Sequence, residues 1–560
     1  MVNDTSILER SIDVAESAQA FPCLTERQIE EIARFATERR FADGEKLWEI
    51  GDRRASFHVI LEGAVDILQR RAISGERLVV RHGPKGFTGD FDLLSDKSAV
   101  VEGRAFGETK VLEVDPDDLK KIVVADSGLS DVIMGAFIVR RQVLLASGFA
   151  NLLLIGSRFS PKTLEIREFL ERNSRPFEWL DLDADESAAA LLEGFGVSPE
   201  ETPVMVNANG QVIRGLNLTD MAEAMGLSTL RDDHIYDLIV VGSGPAGLAA
   251  AVYASSEGLD VMAVDAIAPG GQASTSSKIE NYLGFPTGIS GRELAQRAFV
   301  QAEKFGTTLA TPRKAVKLDC SSRPYSVELD GGSQVRGRSV VIASGAQYRR
   351  LPANGAERFE GRGIYFGATT MEARLCEGAD VIIVGGGNSA GQAAVFLAEH
   401  AKHVHIVVRS PSLDHSMSKY LISRIDASPK ITLHAHTEIT DLHGDDTLTS
   451  VTARNSETEE STDYDCGHVF CFIGAAPNTD WLKDCIALDS KGFIRTGRDL
   501  APNDFSPVEW PDRSPFLLET NRPGVFAAGD VRSGSTKRVA SAVGEGSICI
   551  SFVHEALAGR

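Results

Sequence analysis

Two glycine-rich turns are the residues most able to do chemistry. GSGPAG at 242–247 and GGGNSA at 385–390 each follow a run of β-type residues, DLIVV at 237–241 and VIIV at 381–384, and each opens an alanine-rich helical stretch. In such a turn the first glycine, Gly242 or Gly385, permits the tight bend. The second, Gly244 or Gly387, lets backbone approach a pyrophosphate, and the third small residue, Gly247 or Ala390, lets helix pack on strand. Pro245 and Ala246 in the first turn, and Asn388 and Ser389 in the second, complete the segment whose helix N-terminus offers free N–H groups to phosphates. One glycine pattern is a weak signal; two in strand-turn-helix context make a strong one.

The elements around these turns extend the reading. Residues 259–264 form a second apolar strand ending at Asp265, a position that suits either a ribose hydroxyl partner or an ordinary strand-end turn. Residues 524–530, GVFAAGD, are another apolar strand closed by Gly529 and Asp530.

In this order the segments resemble the low-molecular-weight thioredoxin reductase family over roughly residues 235–560. The matches are GSGPAG, PGGQ at 269–272 with ENY at 280–282, ASGA at 343–346, GGGNSA, FIG at 472–474 with PNT at 477–479, and AGD at 528–530 with Lys537 and Arg538. The resemblance implies FAD on Gly242, Gly244, Pro245, Ala246, Gly247, Asp265, Gly271, Gln272, Asn281, Gly345, Gly529, Asp530, Arg538, Val539 and Ala540. It implies NADPH on Gly385, Gly387, Asn388, Ser389, Ala390 and Arg409, with NADH a weaker alternative because Arg409 alone stands where NADPH-specific members carry several arginines. It also implies a homodimer, and a nicotinamide domain inserted into the flavin domain, entered near 348–352 and left near 472.

The departure from that family is specific. Its redox Cys-x-x-Cys would align with Gly367 and Thr370, and neither side chain is a thiol. A dithiol relay needs two thiols able to join beside the flavin. Cys23, Cys320, Cys376, Cys466, Cys471, Cys485 and Cys549 contain no Cys-x-x-Cys among them; they read as unpaired, with Cys376 the one to watch. Electrons would then leave the flavin for an acceptor that the sequence does not name, such as a ferredoxin-like protein or a quinone, with Thr369 and Thr370 bordering that site. A disulfide reductase using a partner's thiols and a redox sensor with little turnover are the alternatives.

Some 230 residues precede this part. Residues 150–230 combine a buried strand, a helix over 163–173, a strand over 176–181 and Pro203 at a further strand start, and resemble a glutaredoxin or thioredoxin-like domain. Its redox cysteines would fall at Ser160 and Thr163. The segment reads either as a docking module or as a retained site for a thiol-containing or anionic ligand. Residues 1–147 have alternating strands over 47–68 with a turn at 61–63, then GFTGDFDLL at 86–94 and a helical tail over 116–145. They resemble a cyclic nucleotide-binding domain. Gly89 and Asp90 stand where Gly-Glu would meet the ribose; the phosphate arginine falls on Ser98 or Ala99, and Lys97 and Arg104 are out of register. The roll therefore either keeps a nucleotide or is a degenerate regulatory module.

The fold class is thus α/β multidomain: a β-roll over 1–147, a thioredoxin-like domain over 150–230, and two Rossmann-like dinucleotide-binding domains, flavin at 235–350 and 472–560 and nicotinamide at 351–471. The net charge of −21, from 58 basic and 79 acidic side chains, disfavours a nucleic-acid surface. The first 21 residues are too polar for a signal peptide and no apolar run suits a membrane span. With the cysteine usage, these features suit a cytoplasmic protein. No metal-ligand spacing stands out.

Overall fold

The computed structural model describes residues 19–559 except 72–74, 95–96, 147–151, 174, 186–187, 208–209, 226, 228–229, 232, 277, 484, 506–509 and 511–512. They form two compact units. One gathers the N-terminal modules with Ser255–Ala268 and Val300–Lys314; the other holds Asp233–Ala254, Pro269–Phe299 and the chain from Ala315 onward.

In the first unit the long strand Phe57–Arg71 pairs antiparallel with Gly75–His82 and with Glu102–Val114. Glu102–Val114 also carries Thr37–Phe41 and Lys46–Trp48. Alternate residues of these strands face one side, and Trp48, Ile60, Val65, Ile67, Val79 and Val111 make the core of the roll. The turn expected at 61–63 is instead an irregularity inside one continuous strand. Gly63 allows it: φ is +74°, and a Cβ there would meet Glu108 O at 2.5 Å. The helical tail is two helices, Pro116–Ala125 and Ser127–Ala146, because Asp126 adopts extended backbone between them.

In the second module Leu152–Gly156 lies between parallel Glu178–Asp181 and antiparallel Val204–Asn207, which pairs with Val212–Ile213. Ser160 caps the helix Pro161–Arg172 by accepting from the Thr163 N–H at 3.3 Å. Ile166, Phe169 and Leu170 of that helix pack with Leu154 and Met205 of the sheet. The Thr202–Pro203 peptide is cis.

In the second unit Ile235–Val241 pairs parallel with Gln334–Ile342, which pairs parallel with Val525–Ala527. Strands buried on both faces need such continuous apolar runs. Ala315–Asp319 and Tyr325–Leu329 extend the sheet antiparallel. The inserted domain has a five-stranded parallel sheet in the order Ile364–Tyr365, Val469–Cys471, Asp380–Val384, His403–Val407, Ile431–His434. The two chain crossings pair with each other as antiparallel strands, Ala346–Tyr348 and Ala475–Pro477.

The cysteines depart from expectation. Cys320 and Cys485 form a disulfide with Cα atoms 6.0 Å apart; 165 positions separate them, so no local spacing announces the pair. Cys471 lies on a strand and Cys466 precedes it in a loop. No described helix is long and apolar enough to cross a membrane.

Candidate functional site

The first glycine turn is a cradle that Cβ atoms would fill. Gly242 has φ +100°, and a Cβ on it would meet Ala343 O at 2.3 Å; one on Gly247 would meet Gly242 O at 1.8 Å. Gly271, with φ +55°, sits against Gly244 Cα, and the Gly270 N–H donates to Ser243 O at 2.7 Å. Gly529 packs on Ala246, and Gly546 of the helix Val539–Leu557 packs on the Ala246 carbonyl. Four separated segments thus converge on residues 242–247, and Gly345, with φ +65°, ends the strand path beside them. Asn478 and Ser344 hold that corner, each side chain donating to the other's carbonyl at 2.8 Å.

Asp530 follows Gly529 and is partly buried; burial raises its carboxyl above the usual range, with Lys537 opposing and Glu545 adding to the rise. Lys537 Nζ donates to the Asp530 carbonyl at 3.0 Å. Glu545 Oε2 accepts from the Gly529 N–H at 2.7 Å and so fixes this turn. Arg538 is the exposed N-cap of Val539–Leu557 and provides no side-chain cap, which leaves the first turn with Val539 and Ala540 uncapped. Gln272 and Asn281 are exposed. Asp265 closes Val261–Val264 in the first unit, where its Oδ1 accepts from the Ile267 and Ala268 N–H groups at 3.0 and 3.1 Å. Those bonds are the strand-end turn weighed for it.

The second turn repeats the design. Gly385, with φ +136°, lies against Phe472 O, which a Cβ would meet at 2.4 Å, whereas a Cβ on Gly387 would meet nothing within 4 Å. That open face, before an N-terminus with no side-chain cap on Asn388–Leu397, fits a pyrophosphate. Ser416 donates to Gly386 O at 2.6 Å and Asn388 Oδ1 accepts from the Ser418 N–H at 2.7 Å. Ala390 is buried against the sheet, as the third small residue must be. Ser389 pairs with the Tyr348 hydroxyl of the crossing strand, and Arg409 is exposed past the end of His403–Val407.

The segment aligned with the family's dithiol touches the flavin-side domain. Ser276 and Ala368 form a parallel bridge, and a Cβ on Gly367 would lie 3.4 Å from Thr275 Cβ. The Arg424 guanidinium donates to Glu280, at 3.1 Å for Nη2 to Oε1, and ties the same two domains. The Thr369 N–H donates to Glu372 Oε2 at 2.8 Å, and its hydroxyl donates to the same oxygen, so the Glu372 carboxylate reaches back over the start of its helix and occupies the Thr369 side chain. The side chain of Thr370 lies outside the described residues. Cys376 is fully buried, and burial pushes its thiol up to about 11. Burial likewise pushes Cys466 to about 11 and Cys471 to about 12. Such thiols are inert as nucleophiles.

In the roll, the charged side chains that would grip a ligand are paired with residues distant in sequence. Asp90 pairs with Arg141 at 2.7 Å, Asp92 pairs with Arg141 and with Arg175 at 3.3 Å, and Lys97 Nζ lies 3.1 Å from Glu303 Oε1. Lys97 lines the roll's cavity together with Ala99, although sequence register had set Lys97 aside. Ser98 bridges Arg53. Arg104 is bound to Glu76 at 2.8 and 3.0 Å and also to Glu102. Sequence reasoning missed Glu545, Arg141, Arg175 and Glu303, since partners this distant leave no local signal.

Two converging glycine cradles on parallel sheets, with a paired crossing between the domains, define an oxidoreductase scaffold that holds two dinucleotides. The sequence profile described as pyridine nucleotide-disulphide oxidoreductase matches residues 236–546, more than half of the chain, and the protein belongs to that family. Its cofactors are FAD and NADPH. A cyclic nucleotide-binding domain profile matches residues 38–126. The chain is 32% identical over 313 residues to a thioredoxin reductase of Streptomyces clavuligerus, covering 56% of this chain and 91% of that one. It is 32% identical over 346 residues to NADPH-dependent thioredoxin reductase 3 of Arabidopsis thaliana, spanning 60% of each. Among solved structures, Lactococcus lactis thioredoxin reductase aligns with TM-score 0.52 and 26% identity, over 58% of this chain and all of that one.

Proposed function

We propose that this chain oxidises NADPH and delivers the electrons from its FAD directly to an acceptor molecule, with no dithiol relay of its own. The observation that carries the reading is the segment against Thr275 and Ser276: it presents Gly367 and Ala368, with Thr369 turned onto Glu372, and the nearby Cys376 is buried and protonated. FAD, when bound, supplies a carrier that takes hydride from NADPH and releases electrons singly or in pairs. The chain's own residues do the positioning. The glycine cradles hold the two pyrophosphates, Asp530 is placed for a flavin-side hydroxyl, and Arg409 for the NADPH 2′-phosphate. The paired crossing strands and the Arg424–Glu280 ion pair fix how the two domains meet.

We read residues 150–230 as a thioredoxin-like module without a dithiol, used for docking. Its strand order supports this, as does Gly156, where a Cβ would meet Thr163 Oγ1 at 2.4 Å and Pro203 Cβ at 3.0 Å. Ser160 and Thr163 therefore occupy the place of the missing thiols.

Anaerobic stopped-flow tests the proposal: the yellow protein is mixed with NADPH or NADH, then with thioredoxin, ferredoxin or a quinone. Rapid bleaching, with colour restored by a quinone or ferredoxin and not by thioredoxin, is the expected result. Rapid reoxidation by thioredoxin would restore the disulfide reading, and bleaching over minutes with every acceptor inert would favour a sensor.

A further inference from the structure

The cavity of the roll measures about 80 Å³, and its apolar wall includes Trp48, Ile67, Val79, Val80 and Val100. Its charged lining is Asp90, Asp92, Lys97 and Arg140, and the first three are paired with residues behind the wall. Lys97 is held by Glu303, and the three acids Asp90, Asp92 and Glu303 are matched by Arg141, Arg175 and Lys97. One cation remains. Arg140 lines the same cavity, is 5% exposed, and donates to three backbone carbonyls: Ala20 O at 2.8 Å, Gly89 O at 2.7 Å and Phe87 O at 3.1 Å. Its guanidinium also lies over the Phe87 ring at 4.6 Å. No described carboxylate lies within ion-pair distance of it. A buried charge lacking an ionic partner is costly, and burial pushes Arg140 down to about 9, with Asp90 opposing. Three carbonyls leave a guanidinium with two further N–H donors.

A cyclic nucleotide does not fit this lining. The acid that should accept from a ribose, Asp90, is closed on Arg141, Lys97 is held by Glu303, and the rest of the wall is largely hydrocarbon with Ser56, His82 and Thr88 among it. We propose that the roll is a binding site for a small organic acid, a carboxylate with a compact apolar body, whose charge is matched by Arg140 and whose body packs on Trp48, Ile67 and Val79. This assignment is independent of the electron acceptor and of the redox chemistry.

Isothermal titration of the full-length oxidised flavoprotein, without NADPH, tests it with sodium benzoate, sodium butyrate, inorganic phosphate and cyclic AMP as separate probes. Benzoate or butyrate binds, while phosphate and cyclic AMP do not. Arg140→Leu weakens that binding by about 10- to 100-fold, the worth of a charge-assisted hydrogen bond. Arg140→Lys keeps the charge but loses the fork and binds at an intermediate level. Ala55→Leu, which adds bulk to the cavity lining, abolishes binding while flavin content stays normal. Binding of cyclic AMP that displaces benzoate would overturn the ligand class. Absence of carboxylate binding to folded wild-type protein, or binding unchanged in Arg140→Lys and Ala55→Leu, would assign Arg140 to holding the fold.

Discussion

The glycine turns of the reductase unit and the loop over 86–94 of the roll are both turns suited to phosphate, yet they are finished in opposite ways. At 242–247 and 385–390 the side chains are removed, so backbone donors and open space face the ligand: nothing stands within 4 Å of where a Gly387 Cβ would be. In the roll the side chains are charged and spent on each other, Asp90 on Arg141, Asp92 on Arg175 and Lys97 on Glu303. A site built from backbone geometry resists drift because any Cβ damages it. A site built from ion pairs can be turned inward by gaining one new partner, and Glu303 lies 206 positions from Lys97.

The largest effects should come from the glycines. Gly247→Ala places a methyl 1.8 Å from Gly242 O, backbone that cannot yield; the purified protein should carry less than about a tenth of the normal flavin by absorbance. Retained flavin would mean the turn is not the cradle described. Next come the roll's internal pairs. Glu303→Leu leaves Lys97 buried without its nearest carboxylate and should cost about 3–5 kcal/mol in denaturant unfolding, whereas Lys97→Met with Glu303→Leu should return most of it. Equal loss in both variants would show that the pair is not what closes the loop.

Smaller effects separate binding from folding. Gly387 has φ −89° and open space, so Gly387→Ala should fold normally. It should raise the NADPH KM about tenfold with kcat unchanged, the signature of lost uniform binding. Gly385→Ala, by contrast, meets Phe472 O and should lower stability. Arg409→Ala should raise the NADPH KM by about fivefold and leave that for NADH unchanged, since only the 2′-phosphate distinguishes them; parallel changes would remove Arg409 from the site.

The same contrast decides what the sequence could reveal. Strand, glycine turn and helix are local, so both dinucleotide segments, the second module's helix and the two chain crossings were legible within a few residues. The glycines could be assigned roles because only their lack of Cβ permits the observed approaches. The partners that tune the sites were not legible. Glu545 holding the Gly529 N–H, Arg141 and Arg175 on the acids of the roll, and the Cys320–Cys485 disulfide depend on tertiary packing, which no periodicity encodes. Gly63 shows the converse error. A local turn signal was overridden because strand pairing continued on both sides of it.

Acid meets lowered histidines in both regions and a raised glutamate beside the roll. In the nicotinamide domain His405 is pushed down to about 4, first by burial and then by His434 and His403; His434 is lowered by burial and by His403, and His468 by burial alone. A histidine whose folded pKa lies below its unfolded value binds protons more readily when unfolded. Its stabilising share is therefore intact above about pH 6.5 and is lost progressively as pH falls toward 4. Glu303 beside the roll is raised by burial, so its contribution is fully present below the ordinary glutamate range and declines as pH rises. Melting temperature should thus fall between pH 6.5 and 4, and His405→Asn should make that fall shallower. The roll's His82 is also lowered by burial, so part of the acid slope should survive in the variant. Parallel curves for wild type and His405→Asn would show that His405 carries no share of the acid slope and would leave it to His434, His468 and His82.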